Sequence, residues 1–190
     1  MKVLFVPSTF LPSIGGAEIQ THNLANMLCQ KGLKIAVICF EKKIPNICKY
    51  KKINISNIFI NIIYYFEYYF SIDLTLLLSL YLRRQKFSYD IWHFHSLNFK
   101  TMIILNAIKK NKKKVCLTLQ GADIQIEKEI SYGYRLNEKF NTYFLKNLCN
   151  VDCFFSISEN IKKDLLKVGV DEQKIVNFPN SIVLKKFNQI

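Results

Sequence analysis

Short apolar runs alternate along the chain with longer stretches in which apolar residues recur every three or four positions. The runs are KVLFV (2–6), KIAVICF (34–40), NIFINII (57–63), DIWHFH (90–95), KVCLTL (114–119), DCFFSIS (152–158) and KIVNF (174–178). Most lack the strict alternation of a half-exposed strand, so they predict strands covered on both faces. Between the first two, Ala17, Leu24, Met27 and Leu28 mark one helical face, and Gly32 stands where a glycine ends a helix. Further helices are predicted near 98–110, 137–149 and 159–168, the last capped by Ser158 and stopped at Gly169. Strand and helix in repeated alternation predict an α/β fold: one doubly wound, mostly parallel sheet of about seven strands, in a single domain over 1–190.

The stretch NIFINIIYYFEYYFSIDLTLLLSLYLRR (57–84) is apolar enough to be weighed as a membrane span. Glu67 and Asp73 interrupt it, and an Asp at the centre of a spanning helix costs about 2.5 to 3.5 kcal/mol. The reading adopted is a core strand followed by an aromatic-rich helix. The aromatic excess over 64–70 keeps a helix inserted in a membrane surface as the alternative.

Composition changes this picture in two places. The six cysteines include no C-x-x-C pair and no His at metal-ligand spacing, and several fall inside apolar runs, so reduced, buried thiols are expected and no metal. The formal charge is +13, with lysines concentrated in KKIPNICKYKK (42–52) and KKNKKK (109–114). Nucleic acid is disfavoured as the partner, because the basic clusters carry no RNP-like aromatic pattern, zinc module or helix-turn-helix. An anionic membrane surface and a plain solvated face remain open. The start, MKVLFVPSTF, has only four apolar residues before Pro7, too few for a secretory segment. The expected location is the cytoplasm, with the inner face of the cytoplasmic membrane as a docking surface.

The candidate chemistry gathers at strand ends. In a doubly wound sheet, ligands bind beyond the carboxyl ends of the strands, where loops enter helix N-termini with unpaired N–H groups. PSTFLPSIGG (7–16) is such a loop, but the dinucleotide fingerprint G-x-G-x-x-G is absent and the connection is longer than its tight turn. Gly15 and Gly16 serve either a turn with positive φ or the close approach of a phosphate or sugar. Glu18, in the first helical turn, is read as structural or as a sugar-hydroxyl acceptor rather than a base. His93 and His95 lie two apart, on one side of their strand with His95 at its carboxyl end, and Gln120, Gly121 and Asp123 follow the next strand. The candidate site residues are Gly15, Gly16, Glu18, His95, Gln120, Gly121 and Asp123.

FLPSIGGAE, YDIWHFHS, TLQGAD, VDCFFSISENIKKDLLKVGV and KIVNFPNSI resemble, in order and spacing, the N-terminal domain of family 4 retaining glycosyltransferases, from Lys2 to about Phe187. The resemblance implies a GT-B enzyme: two facing Rossmann-like domains, the first mainly holding the acceptor and the second the nucleotide sugar. It implies a nucleotide-sugar donor as substrate, no cofactor, and a glycan or lipid-linked acceptor in bacterial surface polysaccharide or lipopolysaccharide synthesis. The glycine loop would lie against donor phosphates and acceptor. Two positions depart from the family pattern. Gln120 stands where many members have the His of T-x-H-G, and Pro179, Asn180, Ser181 where they read P-N-G. Gln bonds but does not titrate, which removes acid-base duty there. The family's E-x7-E element is not in the sequence, so the donor-binding domain is expected to be absent and the chain inert alone.

Two functions fit these features: glycosyl transfer, and a non-catalytic acceptor-binding module that pairs with a second chain carrying a donor-binding domain. No D-x-D occurs, which disfavours a metal-dependent transferase of the other common fold. A Rossmann oxidoreductase fails on the missing glycine fingerprint.

Overall fold

Among the described residues seven strands, β1 (Lys2–Pro7), β2 (Lys34–Cys39), β3 (Lys51–Asn54), β4 (Ile91–His95), β5 (Lys114–Leu119), β6 (Cys153–Ser156) and β7 (Ile175–Asn177), pair in the order β3-β2-β1-β4-β5-β6-β7. Every pair is parallel. Six α-helices connect them: α1 (Gly16–Gln30), α2 (Asn57–Phe70), α3 (Thr75–Arg84), α4 (Phe99–Lys110), α5 (Glu138–Leu148) and α6 (Glu159–Lys167). The computed structural model describes residues 1–39, 49–54, 57–84 and 88–181. The expected strand end at Phe40 and the thiol of Cys48 lie outside the described residues, as does much of the first basic cluster.

Alternation sends successive strand side chains to opposite faces, and both faces are apolar near the centre of the sheet. Leu4, Val6, Ile38, Trp92, Phe94 and Leu117 join one core with Ile60 and Ile63 of α2, Ile104 of α4 and Phe144 of α5. Val3, Phe5, Ile35 and Val37 join a second core with Ala25 of α1. This double burial is why the central runs read as continuous apolar segments. The helix ends follow local rules. The Ser158 side chain accepts from the Ile161 amide at 3.3 Å and opens α6, and Asn98 with Thr101 forms a capping box on α4.

The third strand is not where the apolar pattern put it. Residues 57–63 begin α2, and β3 is the lysine-rich KKIN just before it. Ile60 and Ile63 are fully buried, with Tyr64 beside them against the core, so the inward face has helical spacing. That spacing is hidden in the sequence because the outward face of α2 is apolar as well, and a short apolar run fits strand and helix equally. β3 escapes detection for the opposite reason. It is an edge strand, Ile53 is its one buried side chain among those described, and its lysines suit an open edge.

Among the described residues no helix is long and apolar enough to cross a membrane. Glu67 instead turns inward: Tyr143 donates to its Oε1, while Oε2 is buried without a partner. The five described cysteines are free thiols. Cys116 and Cys153 face each other across the β5–β6 register, and burial, chiefly, pushes the Cys116 thiol up to about 12, which makes it unreactive.

Burial raises the Glu67 carboxyl above its ordinary pKa of 4.5. A raised folded-state pKa means that the stabilising contribution is full below about 4.5 and is lost as pH rises through the folded value. Glu67→Gln keeps an acceptor for Tyr143 and removes the charge. Its thermal midpoint should equal or exceed the parent's at neutral pH, and the difference should shrink toward pH 4, as followed by circular dichroism.

Candidate binding cleft at the sheet rim

The sheet reverses its direction of winding between β1 and β4, which are neighbours in space and separated in sequence. Their carboxyl ends are locked together: Pro7 pairs with His95, the Ser8 amide donates to the His95 carbonyl at 3.0 Å, and Asn98 Nδ2 donates to the Ser8 carbonyl at 3.2 Å. A cleft of about 720 Å³ opens beside this point. One wall is α1, with Gln20, Asn23, Asn26 and Gln30. The floor is His95, Thr118 and Gln120 at the ends of β4 and β5. The far wall is the segment 178–181 beyond β7. Gln20 Nε2 donates to the Ser181 carbonyl at 2.7 Å and ties the two walls together.

The floor is uncharged and largely buried. His93 and His95 project from the same side of β4 with ring centroids 4.1 Å apart, and both pack on Phe5. His93 Nε2 is bonded to Thr118 Oγ1 at 2.8 Å. Burial drops the His93 pKa to about 3, and burial, with its neighbour His93, holds His95 well below the usual imidazole value. Both rings are therefore uncharged at neutral pH. His95 Nε2 is buried and lacks a hydrogen-bond partner. It is the one orphaned polar atom on the cleft floor among the described residues.

Behind the floor, Asp123 organises the loops. Its side chain is fully buried. Oδ1 accepts from the Gln120 and Gly121 amides at 3.0 and 3.1 Å, and Oδ2 accepts from the Leu97 amide at 3.2 Å. Ser96, at φ 66, adds its hydroxyl to the same carboxylate. One carboxylate thus staples the turn after β5 to the turn after β4. Gly121 sits at φ 124, where a side chain is strained, and an added Cβ would come within 3.0 Å of the Tyr132 hydroxyl and 3.1 Å of Gln125. Asp123 and Gly121 act on the cleft by positioning Gln120.

The glycine pair lies at the same end of the sheet but outside the cleft lining. Gly15 has φ −150, ordinary extended backbone, and caps α1, while Gly16 is its first residue. The reading of a positive-φ turn is therefore corrected for both. An added Cβ at Gly15 would meet Glu18 Oε2 at 2.5 Å, because the Glu18 side chain folds back over the loop and accepts from Thr9 Oγ1. Gly15 makes room for that carboxylate. At Gly16 an added Cβ meets nothing within 4 Å.

The structure thus brings His95 and Gln120 into one cleft, puts Asp123 and Gly121 behind them, and leaves Gly15, Gly16 and Glu18 at the entrance of α1. The polar stripe of α1 and Thr118 are missing from the sequence reading. A signal for the stripe exists: Gln20, Asn23, Asn26 and Gln30 recur every three or four residues as uncharged amides, where a solvated face carries Lys and Glu. Amides, hydroxyls and a neutral imidazole offer donors and acceptors suited to a polyhydroxylated ligand. No carboxylate lines the cleft among the described residues, and none of their acidic, His and Cys side chains cluster in a way that could hold a metal ion.

The depressed histidines give a pH prediction. A folded-state value below the unfolded 6.5 means that the fold binds fewer protons, so the contribution is full above 6.5 and is lost as pH falls toward about 3. The thermal midpoint should fall steadily below pH 6.5, and His93→Gln should flatten that fall. The imidazole proton shifts of His93 and His95 should stay at their neutral positions from pH 8 to pH 5.

No curated protein matches the chain. Solved structures do. Anabaena Alr3699/HepE in complex with UDP superposes with a TM-score of 0.67 at 12% identity, over 97% of this chain and 45% of that one. The apo form of the lipopolysaccharide outer core galactosyltransferase WaaB gives a TM-score of 0.59 at 16% identity, over 97% and 47%. The UDP-GlcNAc 2-epimerase of Methanocaldococcus jannaschii gives 0.57 at 15%, over 95% and 46%. At these identities the likeness is one of fold, and the chain spans less than half the length of each. The profile of Glycosyltransferase Family 4 matches residues 14–186, from the glycine loop to beyond the far wall of the cleft. This chain belongs to Glycosyltransferase Family 4.

Proposed function

We propose that the chain is the acceptor-side half of a retaining glycosyltransferase. The reaction moves a sugar from a nucleotide-sugar donor to a glycan or lipid-linked acceptor in bacterial surface polysaccharide or lipopolysaccharide synthesis, with the acceptor presented at the inner face of the cytoplasmic membrane. The observation that carries this reading is the cleft at the winding reversal, walled by the amides of α1, His95, Gln120 and the 178–181 segment and lacking a carboxylate among its described residues. Such a cleft binds hydroxyls without supplying a nucleophile. The acceptor hydroxyl attacks the anomeric carbon from the face that the nucleotide diphosphate leaves, and the departing diphosphate takes up the bonding electrons and the hydroxyl proton. In this reading the groups that neutralise the diphosphate belong to a donor-binding domain outside this chain, and each such contact is worth about 2.7 to 4 kcal/mol of barrier. His95 Nε2 and the Gln120 amide orient the acceptor sugar, and the α1 entrance at Gly16 lies toward the donor phosphates.

The same carboxylate-free lining also favours a second reading, a non-catalytic module that holds the acceptor for a separate donor-domain chain. The two are separated by covalently joining the chain to a donor-binding domain and comparing transfer with that of the unjoined mixture.

Two outcomes are expected. Mixed with sugar nucleotides and lipid-linked acceptors, the chain alone should release nucleotide diphosphate far below the rate of about 1 per second common to enzymes, and ordinary turnover would overturn the half-enzyme reading. Gly16→Val should leave stability within about 1 kcal/mol, since its added atoms enter open space. It should still lower transfer in a protein that carries both domains. Undiminished transfer would show that no ligand approaches Gly16.

A further inference from the structure

Helices α2 and α3 carry large apolar side chains on their outward as well as their inward faces. Ile58, Ile62, Tyr65 and Tyr69 form one stripe at spacings of three and four residues, with Ile58 at 74% and Tyr69 at 63% exposure. Leu76 and Leu80 continue it on α3, with Leu76 at 57%. Tyr64 and Tyr68 do not belong to it; both turn toward Phe99 of α4. The acids that interrupt this segment in sequence are kept off the stripe. Glu67 is bound by Tyr143, and Asp73 is paired with Lys110 at 3.2 Å.

The basic residues beside the stripe are not those that the lysine run suggests. Lys109 is held by Asp152 at 3.0 Å and Lys110 by Asp73, so two of the five lysines of 109–114 are internally paired. Arg83, at the end of α3, instead joins Lys112 and Lys113 around a shallow hollow of about 540 Å³, and Arg84 is exposed next to it. Lys113 Nζ donates to the Tyr89 carbonyl at 3.4 Å. None of Arg83, Arg84, Lys112 and Lys113 has a salt-bridge partner among the described residues.

We infer that this face docks on an anionic lipid bilayer, with α2 and α3 lying flat in the interface and Arg83, Arg84, Lys112 and Lys113 meeting phosphate headgroups. Fourteen residues make α2 about 21 Å long, short of the roughly 30 Å hydrocarbon core, so it lies in the surface and does not cross. An apolar stripe bordered by arginine and lysine is the chemistry of an interfacial helix. A second copy of the chain is the poorer occupant. Its matching face would bring the same unpaired cations together, on a molecule of formal charge +13. The inference deepens the reading of a membrane-borne acceptor but rests on this surface alone. Its test uses neither donor nor acceptor, so each can fail without the other.

The test is co-sedimentation of the purified chain with vesicles of phosphatidylcholine alone and of phosphatidylcholine mixed with phosphatidylglycerol, at low and physiological salt. The chain should bind the mixed vesicles and weaken as salt rises, because charges near the surface are screened over about 8 Å at physiological ionic strength. Arg83→Gln with Lys112→Gln should weaken binding more than tenfold, since each cation contributes about fivefold. Ile58→Ser with Tyr69→Ser should weaken it on both vesicle types, with circular dichroism confirming that the fold is kept. Equal binding to neutral and anionic vesicles, or binding unmoved by either double variant, would overturn the proposal. So would a lipid-free dimer that Tyr69→Ser dissolves, which would assign the face to a second copy.

Discussion

The pairing of β1 with β4 is the constraint on which the rest of the structure depends. Strands wound to the left of β1 and to the right of β4 send their connections away from this line, so the carboxyl ends of the two strands are left without a crossover between them. A cleft is the geometric residue of that topology. Pro7 against His95, bonded on through Ser8 and Asn98, makes the floor of the cleft part of a ladder buried along most of its length. The side chains placed there inherit the rigidity of the sheet.

Rigidity is extended to the loops by buried polar groups behind the cleft floor. Asp123 gives its carboxylate to three backbone amides and the Ser96 hydroxyl, and burial still raises its pKa above the ordinary carboxyl value. Removing a charged acceptor from buried donors is costly, about 1.5 to 3 kcal/mol per bond to a charged group, so this residue belongs to the scaffold of the cleft. The cleft itself is left without a carboxylate among the described residues, and apart from Lys49 at its margin it offers mainly amides, hydroxyls and imidazoles. For hydroxyl-rich ligands that arrangement is favourable, because amide and imidazole edges can match alternating donors and acceptors without the desolvation cost of a fixed charge.

Polar groups are allotted differently on the far side of the molecule. Glu67, Asp73 and Asp152 each take a partner from α3, α4 or α5 or from the segment beside them, and the carboxylates thereby leave the outer surface of α2 and α3 to apolar side chains. The segment that reads as one uninterrupted apolar stretch is thus two-sided: a core face and an outward face of similar composition.

How much of this was legible in the sequence follows from the range of each interaction. Six of the seven predicted strands and the ends of α4, α5 and α6 were readable, since double burial leaves continuous apolar runs and the Ser158 and Gly169 caps act within a single turn. The family came from motif order along the chain, and the profile match bears it out; the doubly wound fold came from the alternation of strands and helices, and the seven-stranded parallel sheet bears it out. Tertiary structure alone decided the rest. Residues 57–63 became helix because a partner layer buried Ile60 and Ile63 at helical spacing, which a two-sided apolar sequence does not display. The strand KKIN was defined only by the edge it completes. The roles of Gly15 and Asp123 depended on where Glu18 folds and on which amides come within reach. The cleft joins Gln20 to Ser181 across 161 positions, and no local pattern encodes a contact that exists only when the sheet has closed the distance between them.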